Sequence, residues 1–497
     1  MKSRMIGLSV LLMFFLSAFL QTKMYLDWDL LFTLEGGRRL LEGGDYFHDL
    51  FENNPPLIYY FSMGIVYFSQ ITGLQAAFIY KLYIYLMAGY SIGMSYYLLD
   101  TKQTWRALLV PALAFCLLLI PVNTFGEREH IMIALVFPYF LLRFGPQIYN
   151  LGLRTIISLF AGLGFALKPH FLLALISAEL LFSMRQKSWL HSLCLEPCIV
   201  VLVQIVYMIT IVTYMPDFYQ KVLPLIMEYY AFNRASILFL ISNPPVIACM
   251  VSLGVSACLP RPWPVFIQLF CMLGVAFTLS YFLQGKGWYY HLLPVITVTV
   301  LWMAVLAHQL LFKLQQHKMY PVLLIVLIGS FFFCILLPMI ERYKVFITCY
   351  TQDTCGYASL ISFAKNHAKN KPIYFFTTQM QYSIPIIYYS QTKHASRFAT
   401  LWVISGMLNK EIGLNGICDQ VCMDGKTRVR NFIIEDINRY QPSLVFVDIS
   451  PSKAYIHRPF DYLPFMKQSP EFMQLWSHYH YVKTIGQYAV YSRLSSP

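Results

Sequence analysis

Four consecutive ionisable residues, Glu127, Arg128, Glu129 and His130, sit directly between two apolar runs, RALLVPALAFCLLLI and IMIALVFPYFLL. Charge at a bilayer edge is costly unless it pairs or meets a ligand, so this stretch calls for a partner. Other short segments gather carboxylates, cations or aromatic rings: DWD at 27–29, KPH at 168–170, PDFYQK at 216–221 with EYYAFNR at 228–234, and QGKGWYYH at 284–291. Their chemistry suits group transfer from a phosphate. Asp27 or Asp29 would act as a general base on an acceptor hydroxyl or amine, a role favoured by a neighbouring carboxylate and partial burial. Lys168, Lys286 and Arg128 would neutralise a phosphate, and His170 and His291 would donate hydrogen bonds to it. Trp288, Tyr289 and Tyr290 would stack on a sugar or prenyl chain, or anchor a helix in the headgroup layer.

Each segment also has a plainer reading. DWD alone fits a solvated turn, and Pro169 fits a helix end with Lys168 snorkelling beside it. The rings of QGKGWYYH fit an interfacial aromatic belt. Glu35, Arg38, Arg39 and Glu42 fit a surface ion-pair lattice on an amphipathic helix, which is worth little energetically. FGEREH resists such a reading best, because its four ionisable residues do not all face solvent once a helix begins at Ile131.

The elements that must position these residues are membrane spans. The chain has 497 residues, 58% hydrophobic and 12% charged, with a mean hydropathy of +0.55, against roughly 25% charged in an ordinary soluble domain. Segments such as MIGLSVLLMFFLSAFL and MYPVLLIVLIGSFFFCILLPM approach the roughly 20 apolar residues that cross a hydrocarbon core. The first has no small-residue cleavage site before Tyr25, so it counts as a span and not a signal peptide. Much of the basicity behind the formal net charge of +13 is explained by Lys2, Arg4, Lys102, Arg106, Arg143, Arg154, Arg185, Lys187, Arg261, Lys313 and Lys318, which fall in short loops on alternate sides. That is the positive-inside pattern; it sets the N-terminus in the cytoplasm and requires no nucleic acid. Spans are predicted near 6–24, 75–98, 107–122, 130–146, 153–168, 171–184, 192–213, 236–258, 264–283, 290–309 and 320–338. Residues 55–71 then lie along the interface, and the mixed clusters fall in outward loops.

After Glu341 charge is dispersed and short β-type runs appear: PIYFFTT, SLVFVDI and YAVYS. The expected organisation is a transmembrane part over 1–341, with a first outer loop at 25–72 carrying interfacial helices, and a small soluble α/β domain over 342–497. Cys349, Cys355, Cys418 and Cys422 lie in this outward domain. They suit two disulfides between near neighbours, 349 with 355 and 418 with 422; zinc is the weaker reading, because the spacings are loose.

The first loop, DWDLLFTLEGGRRLLEGGDYFHDLFENNPPLIYYF, resembles that of the GT-C class membrane glycosyltransferases, notably the protein O-mannosyltransferases and the lipid A aminoarabinose transferases (glycosyltransferase family 39-like). Asp29 takes the acidic position before Gly44 and Asp45, and Pro55 and Pro56 match a Pro-Pro. KPH looks like the family's Lys-Gly-Pro element. QGKGWYYHLLPVITV looks like its Lys-x-x-x-Tyr-Leu-Leu-Pro segment, with Lys286 as the lysine and His291, Leu292, Leu293 and Pro294 closing it. The likeness covers about residues 1–310 and fades beyond.

This resemblance implies a polytopic α-helical membrane protein of the GT-C fold, with about 11 transmembrane helices and a small C-terminal α/β domain. It also implies an enzyme of the bacterial cytoplasmic (inner) membrane, with its site and C-terminal domain facing the periplasm and a polyprenyl-phosphate-linked sugar as donor. Asp29 becomes the catalytic base with Asp27 as competitor, since Asp-x-Asp departs from the family's adjacent Asp-Glu. Lys168, His170, Lys286, His291 and Arg128 become donor-phosphate ligands, and Glu127, Glu129, His130, Trp288, Tyr289 and Tyr290 substrate contacts. The acceptor is a periplasmic glycan, lipid or protein, attacked with inversion at the sugar. No cofactor is named by the residues; a divalent metal stays open, since no ligand spacing here demands one. Two other classes compete: a transporter or flippase of lipid-linked sugars, which needs ionisable groups near the midplane and finds only Lys81, and a non-catalytic scaffold for envelope assembly.

Overall fold

The computed structural model describes residues 2–99, 105–145, 147, 149–188, 193–313, 315, 317–413 and 420–494. The chain divides into two compact units. The first comprises Met1–Tyr25, Phe78–Thr210 and Ala235–Ile347; the second comprises Leu26–Ala77, Ile211–Arg234 and Thr348–Pro497.

The first unit is built of helices. Each span expected from hydropathy meets a helix, among them Lys2–Gln21, Ala76–Leu98, Arg106–Leu118, Arg128–Phe144, Leu151–Ala166, Leu172–Gln186, Leu195–Tyr214, Val265–Gln284 and Leu293–Phe312. Among the described residues, five helices are long and apolar enough on their own to cross a bilayer. Helix ends shift by a few residues at several spans, and three differences have a plain local reason. The fourth span starts at Arg128 and not near Ile131, because Glu127 takes the extended N-cap conformation and the charged residues form the first turn. The stretch expected as one span over 236–258 is broken into Ile237–Ile241 and Pro244–Ala257; Pro244 and Pro245 have no N–H to continue the first helix and favour the start of a second. The last span runs on from Tyr320 to Gln352, since no proline or glycine follows Pro338 until Asp353 turns with a positive φ.

Lys81, the charge that the transporter reading cites, has a local role. Its Nζ donates to the carbonyl oxygens of Gln21, at 2.6 Å, and Met24, at 3.4 Å, beyond the last turn of the first helix, where a cation is favoured. At the other end of the bundle the expected inner-loop cations are also tied down. Arg143 donates to both carboxylate oxygens of Glu179, at 2.8 and 2.6 Å, Tyr139 donates to the same carboxylate at 2.6 Å, and Arg154 donates to Glu196 at 2.5 Å.

In the second unit a five-stranded sheet runs in the order β2-β1-β3-β5-β4. β1 is Pro372–Phe376, β2 Lys393–His394, β3 Leu444–Asp448, β4 Tyr479–Ile485 and β5 Tyr488–Arg493. β1 is parallel to β2 and β3, and β5 is antiparallel to β3 and β4. β1, β3 and β5 are the three strands expected from PIYFFTT, SLVFVDI and YAVYS. β4 escapes a hydropathy reading because most of its residues are exposed, so it lacks the alternation of a half-buried strand. Cys349 and Cys355 are bonded as expected; the expected pair of Cys418 with Cys422 lies outside the described residues at Cys418.

Residues of the first outer loop fold with this C-terminal sheet. Arg39 lies in the helix Trp28–Leu41 and is 5% exposed. Its guanidinium donates to the backbone carbonyls of Asp49, Ser396 and His394 and to Glu35 at 2.9 Å. Phe51 donates its N–H to the carbonyl of Arg397 at 2.8 Å and forms a parallel bridge with Phe398. Arg397, itself 1% exposed, donates to Asp436 at 2.7 Å from the helix Gln420–Tyr440. The expected surface lattice over Glu35, Arg38, Arg39 and Glu42 is therefore corrected. Arg38 and Glu42 belong at the surface, but Arg39 closes an internal seam, because the carbonyls it needs are supplied by residues some 350 positions later.

Burial raises the pKa of Glu35, but the hydrogen bond from Arg38 and the charges of Arg39 and Arg38 outweigh it and bring it down to about 2. The stability Glu35 contributes is therefore present above its unperturbed value of 4.5 and is lost as pH falls from there through about 2. Hydrogen bonds from a charged donor contribute about 1.5–3 kcal/mol each, whereas exposed pairs contribute about 0–1 kcal/mol. Arg39→Ala is thus expected to destabilise the second unit by about 3 kcal/mol or more, and Arg38→Ala by less than about 1 kcal/mol. Thermal melting with limited proteolysis of the 348–497 region measures both, and equal effects of the two substitutions would contradict the seam.

Candidate active site

Three loops that open or close helices at one end of the first unit meet there. The first is 119–127. Gly126 has φ +108°, and a Cβ there would lie 2.6 Å from the ring of Tyr80, whose hydroxyl donates to the Gly126 carbonyl at 2.9 Å. Only glycine makes that turn without strain, and it delivers Glu127, Arg128, Glu129 and His130 to the start of the helix Arg128–Phe144. The second loop is set by Pro169, which forces the preceding Lys168 into extended backbone with φ −151° and ψ 136°, so the helix Leu151–Ala166 ends and the lysine turns away from its axis. The third begins at Gly285, in the left-handed conformation, after the helix Val265–Gln284, and leads through Lys286 to the short 3-10 turn Tyr289–Leu292.

All four ionisable residues of the GEREH motif are buried: Glu127 and Glu129 are 0% exposed, Arg128 2% and His130 1%. Ions so placed must find opposite charges. Arg128 reaches Glu127 at 3.2 Å, and Lys168, also buried, donates to Oε1 of Glu129 at 2.7 Å. The same oxygen lies 3.7 Å from Nε2 of His291. Lys168 also reaches Oε1 of Gln284 at 3.4 Å. Arg128 and Lys168 both lie over the ring of Tyr290, at 5.8 and 5.5 Å from its centroid, and the rings of Trp288, Tyr290 and His291 pack together. The expected convergence of 125–130, 168–170 and 284–291 is therefore found within one unit.

The residues differ in how they are engaged. His130 receives the N–H of Gly126 at Nδ1, 3.0 Å, so its proton is on Nε2, which donates to the carbonyl of Leu117 at 2.8 Å. It is neutral, and both nitrogens serve the backbone. Tyr289 turns away from the Lys168 group: its hydroxyl donates to the carbonyl of Ile120 at 2.7 Å, while Arg342 stacks 4.0 Å above its ring and donates to Asn123 at 2.6 Å. By contrast Oε2 of Glu129, Nδ1 of His291 and Nε2 of His170 are buried and make no hydrogen bond within the described chain. Buried polar groups are nearly always satisfied, so three such atoms in one cluster mark a place built for a polar ligand. Burial, and after it the charge of Lys168, hold the imidazole of His170 at a pKa of about 3, so it hydrogen-bonds without carrying charge. Burial also lowers the pKa of Lys168, against the pull of Glu129. Within this unit Arg128, Lys168 and Lys286 stand as three cations beside the carboxylates of Glu127 and Glu129.

Asp27 and Asp29 belong to the second unit. Asp27 is buried and caps the helix Trp28–Leu41, accepting the N–H of Asp29 at 3.0 Å; Asp29 stands in the first turn, half-buried. Two participants carried no role in the sequence reading. Gln284 was within the quoted motif but neutral, and Arg342 sat past the last apolar run, where its contact with Asn123 depends on folding alone.

No protein-family model matches the chain, and no curated protein matches it in sequence. Among solved structures, ArnT from Cupriavidus metallidurans bound to undecaprenyl phosphate matches over 99% of this chain and 98% of its own, with a TM-score of 0.56 and 12% identity. That likeness is one of fold: the chain has the GT-C fold, a polytopic helical membrane architecture with a small C-terminal sheet domain.

Removing one partner of a buried pair costs about 3–5 kcal/mol, much of it the charge left behind. Lys168→Met is expected to destabilise by that amount, and adding Glu129→Gln to recover most of it. Melting of the single and double variants forms a double-mutant cycle; strictly additive effects would show that the pair is not closed in the folded protein.

Proposed function

We propose that the protein is a membrane glycosyltransferase that moves a monosaccharide from a polyprenyl-phosphate donor to a glycan, lipid or protein acceptor. The observation that carries this reading is the buried Arg128–Glu127 and Lys168–Glu129 cluster with its unsatisfied His291, His170 and Glu129 atoms, on a fold like that of a protein solved with undecaprenyl phosphate. Arg128, Lys168 and Lys286 neutralise the donor phosphate, and His170 and His291 hydrogen-bond to it; cations and hydrogen-bond donors aimed at a phosphate stabilise it as a leaving group. Glu127 and Glu129 hold the cations in place, and Trp288 and Tyr290 offer faces to the sugar or the prenyl chain.

Asp29 is the base that takes the acceptor's proton. Asp27 is committed to its helix cap, which leaves Asp29 the better candidate of the two. Attack by the deprotonated acceptor opposite the departing phosphate inverts the anomeric centre. Arg143, Arg154, Arg185 and Lys187 cluster at the ends of helices remote from the Lys168 loop, and the positive-inside rule puts those ends in the cytoplasm. The site and the C-terminal domain then face the periplasm from the bacterial inner membrane.

General bases contribute typically about 10²–10⁴-fold to rate. With purified protein and polyprenyl-phosphate sugars, Asp29→Asn is expected to lower turnover by about that factor without weakening donor binding, and Asp27→Asn to act mainly through stability. Undiminished turnover in both variants would remove the carboxylates from the role of base.

A further inference from the structure

The second unit contains a cavity that the transfer chemistry does not use. It measures about 320 Å³, at the lower end of the range for small-ligand sites. It is formed by the helices Trp28–Leu41 and Leu57–Thr72 and the segment 384–394. Much of its lining is aliphatic: Leu31, Leu34, Val66, Ile384 and Ile387. The hydroxyls of Tyr388 and Tyr389 accept the N–H groups of Ala77 and Leu26, which fastens the 384–389 helix to the chain flanking the two others.

Several polar groups of the lining bond within the described chain. Arg38 donates to both oxygens of Glu35, at 2.8 and 2.7 Å, and Thr392 bonds to Ser390 and to the carbonyl of Ile387. His394 is 4% exposed, and its Nδ1 has no hydrogen-bond partner in the described chain. Burial, and then the charge of Arg39, hold its pKa at about 3, so it is an uncharged hydrogen-bonding group beside the Glu35–Arg38 pair, at the edge of the aliphatic lining. Such an atom is retained at a cost unless something bonds to it.

The surroundings say what reaches it. The helix Leu57–Thr72 buries Ile58, Tyr59, Ser62, Ile65 and Val66 and exposes Tyr60, Tyr67, Phe68 and Ile71, an apolar stripe at helical spacing of the kind that rests in the boundary between headgroups and acyl chains. Ser69 and Gln70, which line the cavity, stand in sequence between Phe68 and Ile71. A molecule arriving along that stripe comes out of lipid.

We propose that this cavity is a chain-binding pocket, taking the end of a single aliphatic chain that carries a neutral hydrogen-bonding group, a hydroxyl or an amide, against Nδ1 of His394. The aliphatic walls select the chain, and His394 selects the group. Chains of bulk phospholipid and of a lipid acceptor share this chemistry apart from the hydroxyl or amide, which distinguishes them.

The test uses the full-length protein in phospholipid nanodiscs and two photoreactive twelve-carbon probes, one carrying a hydroxyl on the chain and one plain. The hydroxylated probe is expected to label the peptides around 31–38, 66–70 and 384–394 at least tenfold more than the plain one. Ser69→Trp, at a half-buried position that can take the larger ring into the cavity, is expected to cut this labelling at least tenfold. His394→Leu is expected to abolish the preference for the hydroxyl while retaining labelling by the plain probe, and His394→Gln to keep the preference. Labelling confined to other peptides, labelling undiminished in Ser69→Trp, or an intact preference in His394→Leu would each overturn the proposal. Labelling requires no turnover, so its outcome is independent of the transferase reading.

Discussion

Two carboxylates and two cations sealed away from water at one end of a helical bundle have to be matched to one another, and the bond from Lys168 to Glu129 at 2.7 Å is where that matching is tightest. Glu129 opens the helix Arg128–Phe144 and Lys168 follows the end of the next helix, Leu151–Ala166, so the pair exists only if these two helices reach the same depth. At low effective dielectric an unmatched charge is far more costly than at the surface, which makes the depth of each turn a strong constraint. Gly126, Pro169 and Gly285 meet it by stopping or starting helices at fixed positions. Tyr290 and His291 join the group because the third loop reaches the same level.

The same constraint shapes the chemistry. Glu127 and Glu129 already face Arg128 and Lys168, so the cations are held in place by the chain itself; on the proposed function, groups so held would need little rearrangement as charge develops on a leaving phosphate. Nδ1 of His291, Nε2 of His170 and Oε2 of Glu129 make no hydrogen bond within the described chain; on the proposed function the imidazoles donate to the phosphate, and the carboxylate oxygen accepts from a hydroxyl or amine of the ligand. The opposite end of the bundle is different. There Arg143, Arg154, Glu179 and Glu196 satisfy one another, which is how a purely structural network of the same residue types looks.

Much of this was legible in the sequence where one local property decides the outcome. Apolar length marked the spans, and an alternation or run of β-branched and aromatic residues marked β1, β3 and β5. The GEREH motif stood out because charge is conspicuous in an apolar chain. What was not legible depends on partners far away in sequence. Nothing local to Arg39 distinguishes it from Arg38, yet one closes a buried seam with Ser396 and His394 and the other lies near the surface. His130 carried the same signal as Glu129, but the turn at Gly126 commits both its nitrogens to backbone. β4 escaped because exposed polar residues supply no pattern. The start misread at Arg128 has the same origin: a charged first turn looks like a loop until its partners are known.

The account rests on the buried cations receiving a lipid phosphate. Equilibrium binding of a polyprenyl phosphate to the purified protein and to its Arg128→Gln variant tests this most directly, because the substitution keeps the side chain polar and of similar length while removing its charge. A charged hydrogen bond to phosphate contributes about 1.5–3 kcal/mol, so affinity is expected to fall by roughly ten- to a hundredfold with the fold intact. Equal affinity of the two proteins would contradict the claim that this cluster is where the phosphate binds.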